Sequence, residues 1–419
     1  MKQLRLIAGT LGVAAALAAP AAFGAGFGIY EGSARGNAMG TEVTADPASP
    51  SVLYNNAAAM TALKGTQVEA GLTLIRPNQT VSTTVAPGVT IDNDADSQWW
   101  TPPNAYATCQ YNEKVWTGVG IFSRYGLGID YDDDWAGRYN CQKATIKSLD
   151  VNPSIAVKVM KNLSLAAGVR AEWFDFDLKK AIPADPLAPN ALTDSQMHVN
   201  GDDWGIGYNV GAFFQATDWL SLGLAYDSEI KQEVAGDYTL TTPLGALQGD
   251  GSGDITTPGI LRFGASAKAT DKLTVNAGVT YTMWSSYDEL AIAFDPALPG
   301  PGGMAVPASV TEKNWDDVLR YQLGVEYALD KTWALRAGYI YDETPDPDST
   351  VDYIVPANDR NLISLGVGYK KGDFFCDASY TYLMILDRDL AGRPAEGVLP
   401  GEFKDGDSHL IGLTVGYKL

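Results

Sequence analysis

The side chains that could do chemistry are few, and they are poorly placed for catalysis. The 419-residue chain has two histidines, His198 and His409, far apart and in no recognisable motif. A serine or cysteine nucleophile needs a base within hydrogen-bond reach, so an enzyme is not expected. The three cysteines, Cys109, Cys141 and Cys376, form no CxxC, and their odd number leaves at least one unpaired. All three are read as free thiols. Asp92, Asp94 and Asp96 have the alternate spacing of a calcium loop, but Ser97 stands where the turn glycine belongs and Pro103 where the bidentate glutamate belongs. No metal and no cofactor are expected, and no glycine-rich phosphate loop is present. What remains is a set of charges at alternate positions of later segments: Arg170, Glu172, Arg262, Lys268, Glu326, Arg336 and Asp377. Alternate positions share one face of a strand, so opposite charges there would pair and brace a polar interior.

Strands must position those charges. From Thr66 onward the chain alternates: Val68, Ala70, Leu72 and Leu74 share one face, and Pro77-Asn78 is expected to end that strand. The same dyad recurs in Leu163, Leu165, Ala167 and Val169, in Leu273 to Tyr281, and in Trp333, Leu335, Ala337 and Tyr339. Tight turns such as Lys161-Asn162, Thr217-Asp218 and Asp330-Lys331 alternate with long Asp-, Pro- and Gly-rich connections near 130–142, 179–202, 235–254, 290–314, 343–360 and 387–407. Short turns at one end and long loops at the other characterise outer-membrane barrels. In hydrocarbon every backbone group must be paired, so a spanning sheet has to close on itself. The expectation is an all-β transmembrane antiparallel barrel of about 14 strands, spanning 66–419. Tyr281, Tyr327, Tyr339, Tyr341, Tyr380 and Tyr382 extend outward faces near strand ends, where an aromatic girdle belongs. His409–Leu419 keeps Ile411, Leu413, Val415, Tyr417 and Leu419 on one face, as a closing strand should; signals read by the barrel assembly machinery usually end in an aromatic residue, and here Tyr417 stands two residues before the terminal Leu419.

Residues 1–24 read as an export signal: Lys2 and Arg5, the apolar run Leu6–Ala19, then Ala22 and Gly24 before the cut. That places the chain in the cell outer membrane as a multi-pass barrel, read as a monomer. Thirty basic against 50 acidic residues give a net charge of −20, which excludes the basic surface of a nucleic-acid binder.

One stretch does not alternate. Residues 25–65 are rich in Gly, Ala, Ser and Asn and carry turn and cap chemistry, as a compact hatch inside the ring of strands would. Asn56 is placed to cap a helix over Ala57–Leu63.

Several short motifs, in order, resemble the long-chain fatty acid outer-membrane transporter family. They are Ala25-Gly26-Phe27, Gly32-Ser33-Ala34-Arg35-Gly36, Ala45-Asp46, Tyr54-Asn55-Asn56-Ala57-Ala58, Tyr125-Gly126-Leu127 with Asp132 to Tyr139, Asn152-Pro153, and Arg336 to Tyr339 with Thr344-Pro345. Asn56-Ala57-Ala58 lacks the proline usual in that family. The resemblance implies passive uptake of long-chain fatty acids or related hydrophobic compounds, with aromatic or aliphatic hydrocarbons as the alternative and a general aqueous porin as the second. It implies capture by outer loops, with Asp132–Asp134 solvated beside lipopolysaccharide, and a lumen pocket touching the hatch at Gly26, Phe27, Asn56, Ala57 and Ala58. It also implies a lumen cation, for which Arg170, Arg262 and Arg336 are candidates by inward parity. A kinked third strand over Gly120, Phe122, Arg124, Tyr125 and Gly126 would release ligand sideways into outer-membrane lipid; there Arg124-Tyr125 replaces the family's proline-aromatic pair.

Overall fold

The computed structural model of the protein describes residues 26–41, 43–184, 193–300 and 304–419. The signal reading, 1–24, and Ala25 lie outside the described residues. After residue 65 the chain forms one antiparallel sheet that closes as a barrel of 14 strands. In chain order these are β1 (Thr66–Ala86), β2 (Val89–Asp94 and Pro103–Gln110), β3 (Val115–Phe122 and Gly126–Asp130), β4 (Lys143–Met160) and β5 (Leu163–Ile182). Next come β6 (Ser195–Gln215), β7 (Leu220–Asp227 and Ile230–Thr242), β8 (Gly245–Thr257 and Gly259–Lys268) and β9 (Leu273–Met283 and Glu289–Pro299). The ring ends with β10 (Ala305–Glu312 and Val318–Ala328), β11 (Trp333–Asp342), β12 (Arg360–Lys371), β13 (Phe374–Ile385 and Arg388–Leu390) and β14 (Gly401–Lys418). Closure is made by β14 on β1, in register from Gln67 opposite Lys418 to Asn78 opposite Asp407.

Face selection follows the solvent. Leu165, Val169, Leu335, Tyr339, Leu413 and Val415 are exposed outward, whereas Arg170, Glu172, Arg336 and Asp377 are buried inward. Lys268 is the last residue of β8 and is exposed. The expected girdle has a polar anchor: the hydroxyls of Tyr281, Tyr341 and Tyr382 donate to Asp317, Asp359 and Asp407 at 2.7, 2.6 and 3.0 Å. An apolar ring with a wet tip suits the interface.

Two sequence expectations need correcting. Pro77-Asn78 does not end β1, which runs to Ala86 with a register shift between Asn78 and Thr80. Ile75 exchanges backbone bonds with Trp100 of the β2 side. Pro77, two residues on, turns its missing N–H the same way, toward a stretch of β2 that has no ladder to lose. The connection at 235–254, and the stretches 290–299 and 305–312 of the connection at 290–314, are not irregular loops but continuations of strands, β7 with β8 and β9 with β10. They extend past the hydrocarbon, so nothing imposes an apolar outer face there, and alternation vanishes from the sequence while pairing persists.

Residues 26–41 and 43–63 sit inside the ring. They form α1 (Ala34–Ala38), α2 (Val52–Asn55) and a 3₁₀ turn (Ala57–Ala62), all buried but Ala62. Short helices cannot hold themselves together, so the wall supplies partners. Thr414, Thr73, Thr41 and Ser164 pair with Ala34, Asn37, Gln322 and Thr61 between hatch and wall at 2.6–3.0 Å. Gly324 and Gly338 face the Met39–Gly40 backbone so closely that a Cβ at either would overlap it. The inward glycines are thus the seat of the hatch. Arg35 pins it electrostatically, 2.6 Å from Asp46 and 3.2 Å from Glu326 of β10, which lies 2.6 Å from Arg336 of β11.

Candidate lumen site and wall aperture

Gly26 takes φ +61° against the rings of Trp315 and Trp284, a backbone shape that favours glycine, and delivers Phe27 into an aromatic cage. The Phe27 ring is fully buried, with centroids of Trp284, Tyr287, Trp315, Tyr125 and Phe174 at 4.7, 5.6, 5.7, 5.8 and 6.4 Å. Edge-on ring contacts of this kind contribute beyond their buried area.

Directly beside Phe27, β3 breaks. Phe122 still pairs with Asn104 of β2 and Asp150 of β4. Ser123, Arg124 and Tyr125 then leave the ladder, and Gly126 resumes opposite Lys147. Three residues of β3 span the two that β4 uses, so the strand bulges. The Ser148 hydroxyl fills the gap, accepting from the Tyr125 N–H and donating to the Tyr125 carbonyl, both at 2.9 Å. Strand β2 does not follow this departure. Its place is taken by the segment that leads into the hatch: the Ile29 N–H donates to the Arg124 carbonyl at 2.7 Å, and the Gly126 N–H to the Phe27 carbonyl at 2.8 Å. The next backbone bond between β2 and β3 is Asp96 N–H to the Asp130 carbonyl, 2.8 Å. The gap in β2–β3 backbone pairing, a candidate aperture in the wall, is therefore bounded by Asn104 with Phe122 and by Asp96 with Asp130. Arg124-Tyr125 does not abolish the kink; both side chains are buried, and Tyr125 donates to the Pro258 carbonyl at 3.1 Å.

A narrow internal cavity opens between Phe27's neighbours and the wall. Gly28, Tyr54 and Trp284 line it with three guanidiniums, Arg124, Arg262 and Arg320, and no carboxylate. The counter-charges stand behind: Asp227 holds Arg124 at 3.2 Å and Arg262 in close contact. Asp342 holds Arg360 at 2.5 Å and accepts from the Tyr30 hydroxyl at 3.0 Å, while the Arg320 guanidinium carbon stands 3.5 Å over the Tyr30 ring centroid. Nε and Nη1 of Arg124 and Nε of Arg320 have no acceptor.

The candidates named from sequence therefore separate. Phe27, Arg124, Tyr125, Gly126 and Arg262 converge with Gly26 on the cavity and aperture. Gly120 stays in the regular ladder, opposite Tyr106 and Asn152. Arg170 lies between Asp150 and Glu172, at 2.9 and 2.8 Å, and Arg336 between Glu326 and Asp377, both at 2.6 Å. Asn56 caps the 3₁₀ turn by accepting from Ala58 N–H at 3.1 Å, and donates to Thr44 and Ala212 carbonyls at 3.0 Å. Ala57 and Ala58 pack in a separate apolar cluster with Trp116 and Phe213. Arg320, Tyr30, Trp284, Trp315 and Asp227 were not singled out. Arg320 was within reach of the argument that found Glu326, since the two share an inward parity.

Above Phe27 the lumen is apolar up to the long loops, through Phe174, Phe294, Leu362 and Phe403. The loops close over it around Trp135, which stacks on Tyr131 at 4.1 Å and meets Tyr353 edge-on at 4.7 Å. Asp133 of the acidic run pairs with Lys179 at 2.7 Å. A buried pair, Lys313 with Asp352 at 2.5 Å, sits in this cap beside Asp346. Burial, then the neighbouring Asp352, push the Asp346 carboxyl up to about 7 against the pull of Lys313, Arg388 and Arg393. A carboxyl raised in the folded state stabilises it fully below the unfolded value, and that contribution is lost as pH rises through the folded one. Protection of 343–359 from hydrogen exchange, relative to the intrinsic rate at each pH, should therefore fall between pH 5 and pH 8, and Asp346→Asn should flatten the dependence; equal slopes in both proteins would refute it.

A closed antiparallel barrel with long loops at one end and short turns at the other defines an outer-membrane barrel protein. The comparisons agree. Residues 15–419 match the model of the outer membrane protein transport protein family (OMPP1/FadL/TodX), and the chain belongs to that family. It is 26% identical over 359 residues to the long-chain fatty acid transport protein of Escherichia coli O6:H1, covering 78% of each chain. In fold it is similar to a Pseudomonas aeruginosa FadL homologue, with TM-score 0.83, 19% identity and coverage of 94% and 99%. The Pseudomonas putida toluene transporter TodX matches at TM-score 0.71 and 15% identity, covering 92% of this chain and 97% of its own.

Proposed function

We propose that the protein takes up long-chain fatty acids, seating the carboxylate among Arg124, Arg262 and Arg320 and passing the acyl chain to lipid through the β2–β3 aperture. The cavity lined by three guanidiniums carries this reading, because unspent N–H donors of a buried cation suit an anionic head group. The cavity is narrow, so the acyl chain takes the volume that Phe27 vacates in the aromatic cage. No energy source is needed. A solute that has passed the polar outer layer enters hydrocarbon downhill by about 0.8 kcal/mol per CH₂, and the apolar upper lumen shields it until then. Hatch residues 26–41 and 43–63 occupy the lumen, which speaks against an aqueous porin. The alternative substrate is an aromatic hydrocarbon, favoured by one observation: a phenyl ring, that of Phe27, already fits the cage edge-on to Trp284 and Tyr287. Arg320→Met separates the two. A hydrogen bond to a charged group contributes roughly 1.5–3 kcal/mol, so the variant should bind a long-chain fatty acid about 10- to 100-fold more weakly and toluene equally well. Unchanged fatty-acid affinity in isothermal titration would turn the assignment to hydrocarbons.

A further inference from the structure

Within the aperture one side chain lies across the gap. Trp100 exchanges both backbone bonds with Ile75 at 2.8 Å, so it shares the inward face of buried Ile75. From there its indole reaches over to β3 and lies on Gly128, where a Cβ would fall among ring atoms Cζ2, Cε2 and Cη2. Gly128 is thus the seat of the ring, and the contact joins β2 to β3 where no backbone bond does. The indole N–H is buried without an acceptor. Rotation toward the membrane interface would satisfy that donor, so the closed position carries its own incentive to open. Next to it Trp99 is exposed outside, with the Arg76 guanidinium 5.9 Å from its ring centroid, so the outer rim is already aromatic.

We infer that Trp100 is the shutter of the wall aperture, a positioning residue that sets how fast a hydrophobic ligand crosses between lumen and lipid without contributing to its affinity. The inference rests on the sideways-release reading given above. A shutter alters entry and exit rates by the same factor, whereas a binding wall alters the equilibrium.

The test uses the full chain in lipid vesicles loaded with a fluorescent long-chain fatty acid. Trp100→Ala should speed stopped-flow release into the bilayer several-fold, leave the equilibrium Kd unchanged and keep the heat-modifiable mobility of a folded barrel. Trp100→Phe should return the rate toward that of the parent. Unchanged release, or a Kd that weakens in parallel with the rate, would overturn the inference. A second arm keeps it distinct from the reading beneath it. In a background where Cys109, Cys141 and Cys376 are replaced by serine, Trp100→Cys with Gly128→Cys is bridged by a short bis-methanethiosulfonate and then reduced. Release that stops on bridging and returns on reduction supports the aperture; if Trp100→Ala is then silent, only the shutter fails. Release indifferent to both the bridge and Trp100→Ala removes sideways exit itself.

Discussion

Arg35→Glu is expected to unseat the hatch while leaving the barrel intact. Arg35 is the only charged side chain of α1, and it meets two carboxylates, Asp46 of the hatch and Glu326 of the wall, at 2.6 and 3.2 Å. Glu326 also serves Arg336, which in turn serves Asp377 at 2.6 Å. Reversing Arg35 sets the new carboxylate, Asp46, Glu326 and Asp377 around one remaining guanidinium. Removing one partner of a buried pair costs about 3–5 kcal/mol, and the α1 contacts left are neutral hydrogen bonds such as Asn37 to Thr73. Hydrogen exchange at hatch amides should accelerate by two orders of magnitude or more, at about tenfold per 1.4 kcal/mol. Amides of β4 and β5 should not change. Adding Asp46→Lys restores one opposite-sign pair and should recover much of the protection. Hatch exchange equal to that of the parent would mean that the glycine seat and neutral bonds hold the hatch alone.

The barrel was legible in the sequence because hydrocarbon imposes a period of two that no other environment imposes so regularly. Leu163 to Val169 and Trp333 to Tyr339 announce their faces residue by residue. Legibility stopped where that solvent stops. Beyond the membrane, residues 235–254 remain paired although their composition is that of a loop, because a hairpin needs backbone partners and not an apolar face. Pro77 misled for a related reason: proline argues against a central strand only where its missing N–H would have been used.

The candidate site was legible in part. Phe27 and the Arg124-Tyr125 stretch stood out by motif, and inward parity found Arg170, Arg262 and Arg336. Parity cannot tell a neutralised arginine from an unspent one. That distinction depends on which strands carry the opposing acids: Asp150 and Glu172 enclose Arg170, whereas Asp227 divides itself between Arg124 and Arg262. Register between distant segments decides it, and register is absent from one sequence. Trp100 was invisible for the same reason, since its partner Gly128 lies across a gap in the ladder.

That difference between enclosed and unspent arginines yields the largest expected effect on the barrel itself. Arg170, Asp150 and Glu172 are all fully buried. The Arg170 Nε donates to Asp150 at 2.9 Å, Nη2 to Glu172 at 2.8 Å and Nη1 to the Ser228 carbonyl at 3.3 Å. Glu172 also accepts from Gln232 of β7 at 3.0 Å and from Thr257 of β8 at 2.8 Å. The cluster thus ties β4, β5, β7 and β8 together just below the β3 break, level with Phe122, the last residue of β3 before it leaves the ladder. Arg170→Leu keeps some volume but leaves two buried carboxylates with no cation, a loss of about 3–5 kcal/mol. The temperature at which the folded band gives way to the unfolded one on gels should fall by many degrees. Combining it with Asp150→Asn and Glu172→Gln removes the stranded charges, and most of the loss should return, since a neutral replacement of a buried ion cluster is often tolerated. A single variant as heat-resistant as the parent would show that water or counter-ions reach Asp150 and Glu172. A triple variant no better than the single one would show that packing around the guanidinium, rather than its charge, braces the wall.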